Sequence, residues 1–162
     1  MSKVALRKIK STDKRYFARW WRDTELLKLT SGILKSISDK EIEQYFVAMA
    51  SSSTDYHFMI LVDKKVIGHI VLVKRRNNWY ETQIVIGEKE HWGRGYGTIA
   101  IKLLLKKAKK LEISKVYLEV RPTNTRAIAS YENSGFVKTR IKKYPKIKYL
   151  PRALRMELKV NT

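Results

Sequence analysis

Apolar and polar positions change their period several times along the chain, and each change marks an element. Near the N-terminus, VALRKIK alternates apolar and basic residues, the period of a half-buried strand. From Thr12 to about Thr30, Phe17, Trp20, Trp21, Leu26 and Leu27 recur at helical spacing, which predicts one helix there. Ser38 with Glu41 makes a capping box, so a second helix starts on IEQYFVAMA and ends at SSST. HFMILV and VIGHIVLV flank Asp63-Lys64-Lys65 as a hairpin, and another strand covers roughly Glu81 to Ile86. TIAIKLLLKKAKKL then sets Ile101, Leu104, Leu105 and Ala108 on one helix face and lysines on the other. KVYLEV reads as a strand, RAIASYENSG as a short helix stopped by Gly135, and FVKTRIKKY and ALRMELKV as two last strands. The order β-α-α-β-β-β-α-β-α-β-β, without repeat or linker, predicts one mixed α/β domain over residues 1–162.

Composition narrows the chemistry. The chain has no Cys, which removes disulfides, thiolate zinc sites and a Cys nucleophile and fits a reducing compartment. MSKVALRKIKSTDKRYF lacks the apolar core of a signal peptide, and no run approaches a membrane span, so a cytoplasmic location is expected. Net charge is +20. Nine Lys or Arg against one acid, Glu157, fall between Lys138 and Lys159, and Lys102, Lys106, Lys107, Lys109 and Lys110 add to them. Such a surface attracts polyanions, so weak RNA or ribosome association is one expectation. A solvated Lys-rich face is the other.

QIVIGEKEHWGRGYGTIA, from Gln83 to Ala100, places three glycines just before a helix, where backbone amides can approach a phosphate. The Lys-Ser/Thr pair of a P-loop is missing. A dinucleotide fingerprint also fits poorly: Thr98 stands at its third glycine, several residues separate Ile86 from Gly93, and repeated βαβ units are absent. GxSxG is absent, which leaves a serine acyl-enzyme unsupported. His57, His69 and His91 form no ligand spacing, so they are read as structural or surface residues and no metal is expected.

Two blocks resemble the GNAT superfamily of acetyl-CoA-dependent acyltransferases. WGRGYG, from Trp92 to Gly97, is similar to its pyrophosphate loop, Gln/Arg-x-x-Gly-x-Gly/Ala, although Trp92 departs from the first position. LEVRPTNTRAIASYENSGF, from Leu118 to Phe136, resembles the block LEVRxxNxxAIxxYExxGF, whose wording is nearest the ribosomal-protein-alanine and -serine N-acetyltransferases. Order and spacing of the blocks match, and WWRDTE and ALRMELKV are similar to family ends. The resemblance implies a GNAT-type fold, α/β (α+β), with about seven strands in a mixed sheet and helices on both faces.

It also implies site residues. Gly93, Arg94, Gly95, Tyr96, Gly97 and Thr98 would offer amides to the pyrophosphate of acetyl-CoA. Val85, Ile86 and Gly87 would run beside the pantetheine and the acetyl carbonyl, one backbone N–H serving as oxyanion donor. Asn124 is a helix cap that would also bond the pantetheine arm. Tyr131 matches the general acid, a phenol suited to protonating a thiolate of similar basicity. Glu119 is the favoured base and Glu81 its rival. A neutral primary amine would attack directly in a ternary complex, without metal. The favoured acceptor is a protein N-terminal α-amine, whose lower pKa suits a carboxylate base, with Tyr144 and Tyr149 lining a peptide groove. Small amines (aminoglycoside, amino sugar, amino acid) are the alternative, polyamines fitting the charge worst. An RNA-associated binding protein or aminoacyl-tRNA acetyltransferase is a third reading.

Overall fold

The computed structural model describes residues 1–161. Its strands are β1 (Val4–Lys8), β2 (Tyr56–Val62), β3 (Lys65–Lys74), β4 (Trp79–Ile86), β5 (Lys115–Val120), β6 (Val137–Lys143) and β7 (Arg152–Lys159). They form one seven-stranded sheet in the order β1-β2-β3-β4-β5-β7-β6. The helices are α1 (Lys14–Trp20), α2 (Thr24–Leu29), α3 (Asp39–Ala50), α4 (Tyr96–Lys110) and α5 (Thr125–Asn133). Every sequence-predicted strand is present, and the α/β class with helices on both faces holds. Asp63 and Lys64 take positive φ in the β2–β3 turn, the geometry a two-residue hairpin needs.

One element differs. The helix predicted over residues 12–30 is two helices, broken at Trp21–Asp23. Asp23 restarts the chain as an N-cap, its carboxylate accepting from the Leu26 N–H at 3.1 Å. The break bends the chain so that Phe17 and Trp20 on α1 and Leu26 on α2 enter one cluster with Phe46 of α3 and Met59 of β2. On the opposite face, α4 inserts Ala100, Ile101, Leu104 and Ala108 against Ile60, Ile70, Leu72, Val116 and Leu118. Alternation along the strands feeds the two clusters: Val85 joins the α1–α3 side, while Ile84 and Ile86 join the α4 side.

The sheet parts in the middle. β4 and β5, the one parallel pair, are bonded only at Trp79–Lys115, Tyr80–Val116 and Glu81–Tyr117. β4 then continues to Ile86 held by β3, and β5 to Val120 held by β7. Each strand is fixed by its other neighbour, so the two halves of the sheet diverge and leave backbone groups unpaired between them.

Candidate active site

A cavity of about 680 Å³ opens where β4 and β5 part. Trp20, Trp21, His57 and His69 line it on the α1–α3 side, and Ile101, Asn124 and Tyr131 line it on the α4–α5 side. The cavity therefore spans the sheet at the parting and is lined from both faces. Its volume falls in the range of small-ligand sites.

The β3–β4 ladder decides which amides face it. At the two ends of the pairing, Arg75 N–H donates to the Trp79 carbonyl at 2.7 Å and Gly87 N–H to the Ile67 carbonyl at 2.9 Å. Antiparallel alternation between these ends turns the Val85 N–H toward β3 and those of Ile84 and Ile86 toward the parting. Of the three positions expected to offer an amide, Val85 and Gly87 are thus spent on the ladder, and Ile86 keeps a free N–H. Gly87 has a packing reason instead: a Cβ there would lie 2.1 Å from the Trp20 indole. The Ile86 carbonyl accepts from Trp92 Nε1 at 2.7 Å. The residue that departs from the loop pattern therefore ties the loop to the end of β4.

The glycine loop enters α4 with Gly95 as its N-cap and no side chain bonded to the first amides, so these remain free for an anion. Gly93 and Gly95 have φ of +72° and +80°, which side-chain-bearing residues rarely adopt. A Cβ on Gly95 would meet nothing within 4 Å, so that side of the loop is open. Gly97 differs: a Cβ there would touch Ile84 at 3.7 Å, an ordinary contact inside the fold. Arg94 is exposed. Tyr96 and Thr98 are half-buried, Tyr96 tilted against His91 and the Thr98 hydroxyl bonded to Ser130 of α5. Arg126, also on α5, donates to the Gly93 carbonyl at 2.9 Å and braces the loop.

Asn124 caps α5 by accepting from the Ala127 N–H at 3.2 Å while lining the cavity. About two helical turns further on, Tyr131 packs edge-on to Phe136, with ring centroids 6.0 Å apart. Burial pushes its phenol up, so it stays protonated at neutral pH. Thr82 also lines the cavity; it is buried, and its Oγ1 has no partner among the described residues. An orphaned hydroxyl, free helix amides and an open glycine face together fit a long polar ligand with an anionic end.

The two carboxylates sit on the α1–α3 face of β4 and β5, opposite Tyr131, and their surroundings differ. Glu81 accepts from Arg75 at 2.7 and 2.9 Å, from the Tyr117 hydroxyl at 3.1 Å and from Gln83 at 3.3 Å. Arg155 stacks 3.6 Å over the Tyr117 ring, so one cation of the basic C-terminal stretch is turned inward here. Glu119 has no ion pair among the described residues; the Tyr144 hydroxyl, from the β6–β7 connection, donates to it at 2.5–2.7 Å. Burial and that carboxylate push the Tyr144 phenol far up, so it remains a donor. Tyr149, its expected companion, lies between Lys28 and Lys148, and its carbonyl accepts from Arg121. The same guanidinium holds the Lys28 and Leu29 carbonyls at the end of α2, clasping α2 to the β6–β7 connection. Single residues in the sequence carried no signal for the Arg121 clasp, the Arg126 brace or the Tyr144–Glu119 bond, because each depends on a distant partner, nor for the Thr82 hydroxyl, whose burial is set by the packing around it.

No group of three or more His, Cys, Asp or Glu that could hold a metal occurs among the described residues, and no helix there is long and apolar enough to cross a membrane. No curated protein matches the chain at a significant level. Solved structures do. A spermidine N-acetyltransferase from Vibrio cholerae in complex with CoA and spermine is 22% identical over 97% of this chain and 95% of its own, with a TM-score of 0.84. A domain from Methanocaldococcus jannaschii is 24% identical over 98% and 99%, with a TM-score of 0.75. An aminoglycoside acetyltransferase in complex with coenzyme A is 16% identical over 97% and 95%, with a TM-score of 0.77. At such identities the likeness concerns the fold. The family model of the acetyltransferase (GNAT) domain matches residues 3–137. With that match over most of its length, the chain belongs to the GNAT family and is an N-acetyltransferase that uses acetyl-CoA.

Proposed function

We propose that the acceptor is a small-molecule primary amine, acetylated by direct attack within a ternary complex. The observation that carries this reading is the shape of the acceptor side. Arg121 ties the end of α2 to the β6–β7 connection, so the amine would enter a bounded cavity and not an open trough. Aromatic walls with two carboxylates suit a small-molecule cation. Spermidine and aminoglycoside, the substrates named for the similar solved structures, are cations of this class. They set the starting panel.

Acetyl-CoA supplies the activated acetyl group. On the donor side, the amides of Gly93 to Thr98 would hold its pyrophosphate, with Arg94 as an added charge, and Thr82 and Asn124 would meet its arm. The Ile86 N–H points into the parting, where it would stabilise negative charge on the acetyl oxygen. On the acceptor side, Glu119 would take a proton from the amine, its Tyr144 bond fixing the carboxylate's orientation. Glu81, already saturated by Arg75, Tyr117 and Gln83, would shape the site's charge instead. Tyr131, on the opposite face, would give its proton to the departing sulfur. Base and acid thus lie on the two sides of the sheet, as amine and thioester arrive.

A protein N-terminal amine is the second reading, favoured by the LEVR block and by the larger neutral fraction of an α-amine. A turnover screen separates them: CoA release with spermidine, an aminoglycoside, amino acids, peptides starting with Ala or Ser, and a blocked peptide with an internal Lys. Faster turnover of the free N-terminal peptide than of every small amine would refute the proposal. The basic surface is tested separately. Lys138, Arg140 and Lys143 on the edge strand β6 are exposed, and RNA binding through them should weaken steeply with salt.

A further inference from the structure

We infer that the acceptor is a monoamine with an apolar body, which brings a single ammonium to Glu119 and lays its hydrocarbon part against α1, α2 and β3. The inference rests on the small-amine reading above and narrows it. Spermidine and aminoglycosides carry several cations, and this cavity has a place for one.

Among the described residues that line the cavity, Glu81 and Glu119 are the only carboxylates. Arg75 holds Glu81 at 2.7 and 2.9 Å, and Tyr117 and Gln83 donate to it as well, so its charge is already countered. Glu119 has the neutral Tyr144 hydroxyl as its partner and keeps its charge for a ligand. Arg121, the cation of the wall, is bonded to the Lys28, Leu29 and Tyr149 carbonyls. His57 and His69 bond to each other at 2.9 Å, and burial lowers both, His69 to about 3, so the pair adds no charge at neutral pH. The cavity therefore balances one ammonium. A second would be buried without a counter-ion, which is costly, and the net charge of +20 opposes its approach.

The rest of this side is largely hydrocarbon. Val71 and Val73 of β3, opposite Gln83 and Glu81 in the register, form part of its floor. Trp20 and Trp21 of α1, Leu26 of α2 and Met49 of α3 wall it. Trp20 and Leu26 are held in the cluster around Phe17 and Met59, so this wall is formed before any ligand arrives. Burying an alkyl or aryl group here removes apolar surface from water on both partners. Trp21, Leu27 and Ser31 also border a second cavity of about 240 Å³, with Ile33, Ile37 and Tyr45 on its other walls. Its two charged residues, Lys35 and Glu41, are of opposite sign, and Glu41 accepts from the Ser38 N–H at 2.9 Å. An apolar body extending that way meets no further carboxylate free to hold a second cation.

Matched amines test this. CoA release is followed with acetyl-CoA and the alkylamines from propylamine to hexylamine, hexamethylenediamine, phenethylamine, spermidine, an aminoglycoside and a peptide starting with Ala, all at one pH. Along the alkylamines kcat/KM should rise about fourfold per methylene, as burial of each group requires. Hexylamine should exceed hexamethylenediamine, which has the same chain and a second ammonium, by about tenfold or more. Phenethylamine should exceed spermidine and the aminoglycoside. An added carboxylate should work the other way: in Leu27→Glu the diamine-to-monoamine ratio should rise about tenfold or more, and a ratio does not depend on how much of the variant is folded. Spermidine, the aminoglycoside or the diamine outrunning every monoamine would overturn the inference and leave the small-amine reading standing. The peptide outrunning every amine would overturn that reading instead. An unchanged ratio in Leu27→Glu would overturn the placement of the apolar body against α2.

Discussion

Replacing Glu119 by Gln and, separately, Glu81 by Gln removes one charge each and almost no volume, yet the two changes should have opposite signatures. Glu119 has the Tyr144 hydroxyl as partner, and the amide oxygen of Gln can still accept from it. Stability should therefore move by less than about 1 kcal/mol, while loss of the base should cut kcat by roughly 10²–10⁴. At about 1.36 kcal/mol per tenfold, that is roughly 3–5 kcal/mol of barrier. Glu81 is bonded to Arg75, whose side chain is 44% exposed, so solvent screens the pair. Leaving that guanidinium without its carboxylate should cost about 1–2 kcal/mol, and at roughly 2–4 °C per kcal/mol the Tm should drop by about 2–8 °C. Thermal melts and pH–rate profiles on both variants check this, the acidic limb flattening only in Glu119→Gln. A larger loss of kcat in Glu81→Gln than in Glu119→Gln would exchange the two roles.

Three further outcomes are expected. Tyr131→Phe should lower kcat by about a hundredfold with the Tm rise on adding acetyl-CoA preserved, since the ring stays and the proton is lost; an unchanged kcat would exclude the phenol as acid. Gly95→Val should abolish that Tm rise, because φ is +80° and the new side chain would occupy the loop's open face, while Gly97→Ala should keep it; equal effects would contradict the loop geometry. Stability should also depend on acid. The folded pKa of His69 lies far below its ordinary value near 6.5, so its contribution is complete above pH 6.5 and is lost as pH falls from there toward 3. The slope should approach about 1.4 kcal/mol per pH unit within that window, and melts of His69→Gln should show it flattened.

Sequence by itself determined the elements and the two blocks. Strand and helix periods are local, so β1 through β7, α4 and α5 follow from which positions are apolar, and the glycines announce free amides because backbone freedom belongs to the residue itself. The break between α1 and α2 escaped the same reading: the apolar spacing runs through it, and the Asp23 cap that interrupts it is one side chain against a strong pattern. Only the tertiary structure decided which amide stays free. Val85, Ile86 and Gly87 are equivalent in sequence, and it is pairing with β3, from Ile67 to Arg75, that turns the Ile86 N–H alone of the three into the parting. It also separated the two glutamates, giving Glu81 an arginine and Glu119 a tyrosine from residues up to 25 positions away. Hydrogen-bond partners of that kind are set by strand order and register, which no short stretch of the chain encodes.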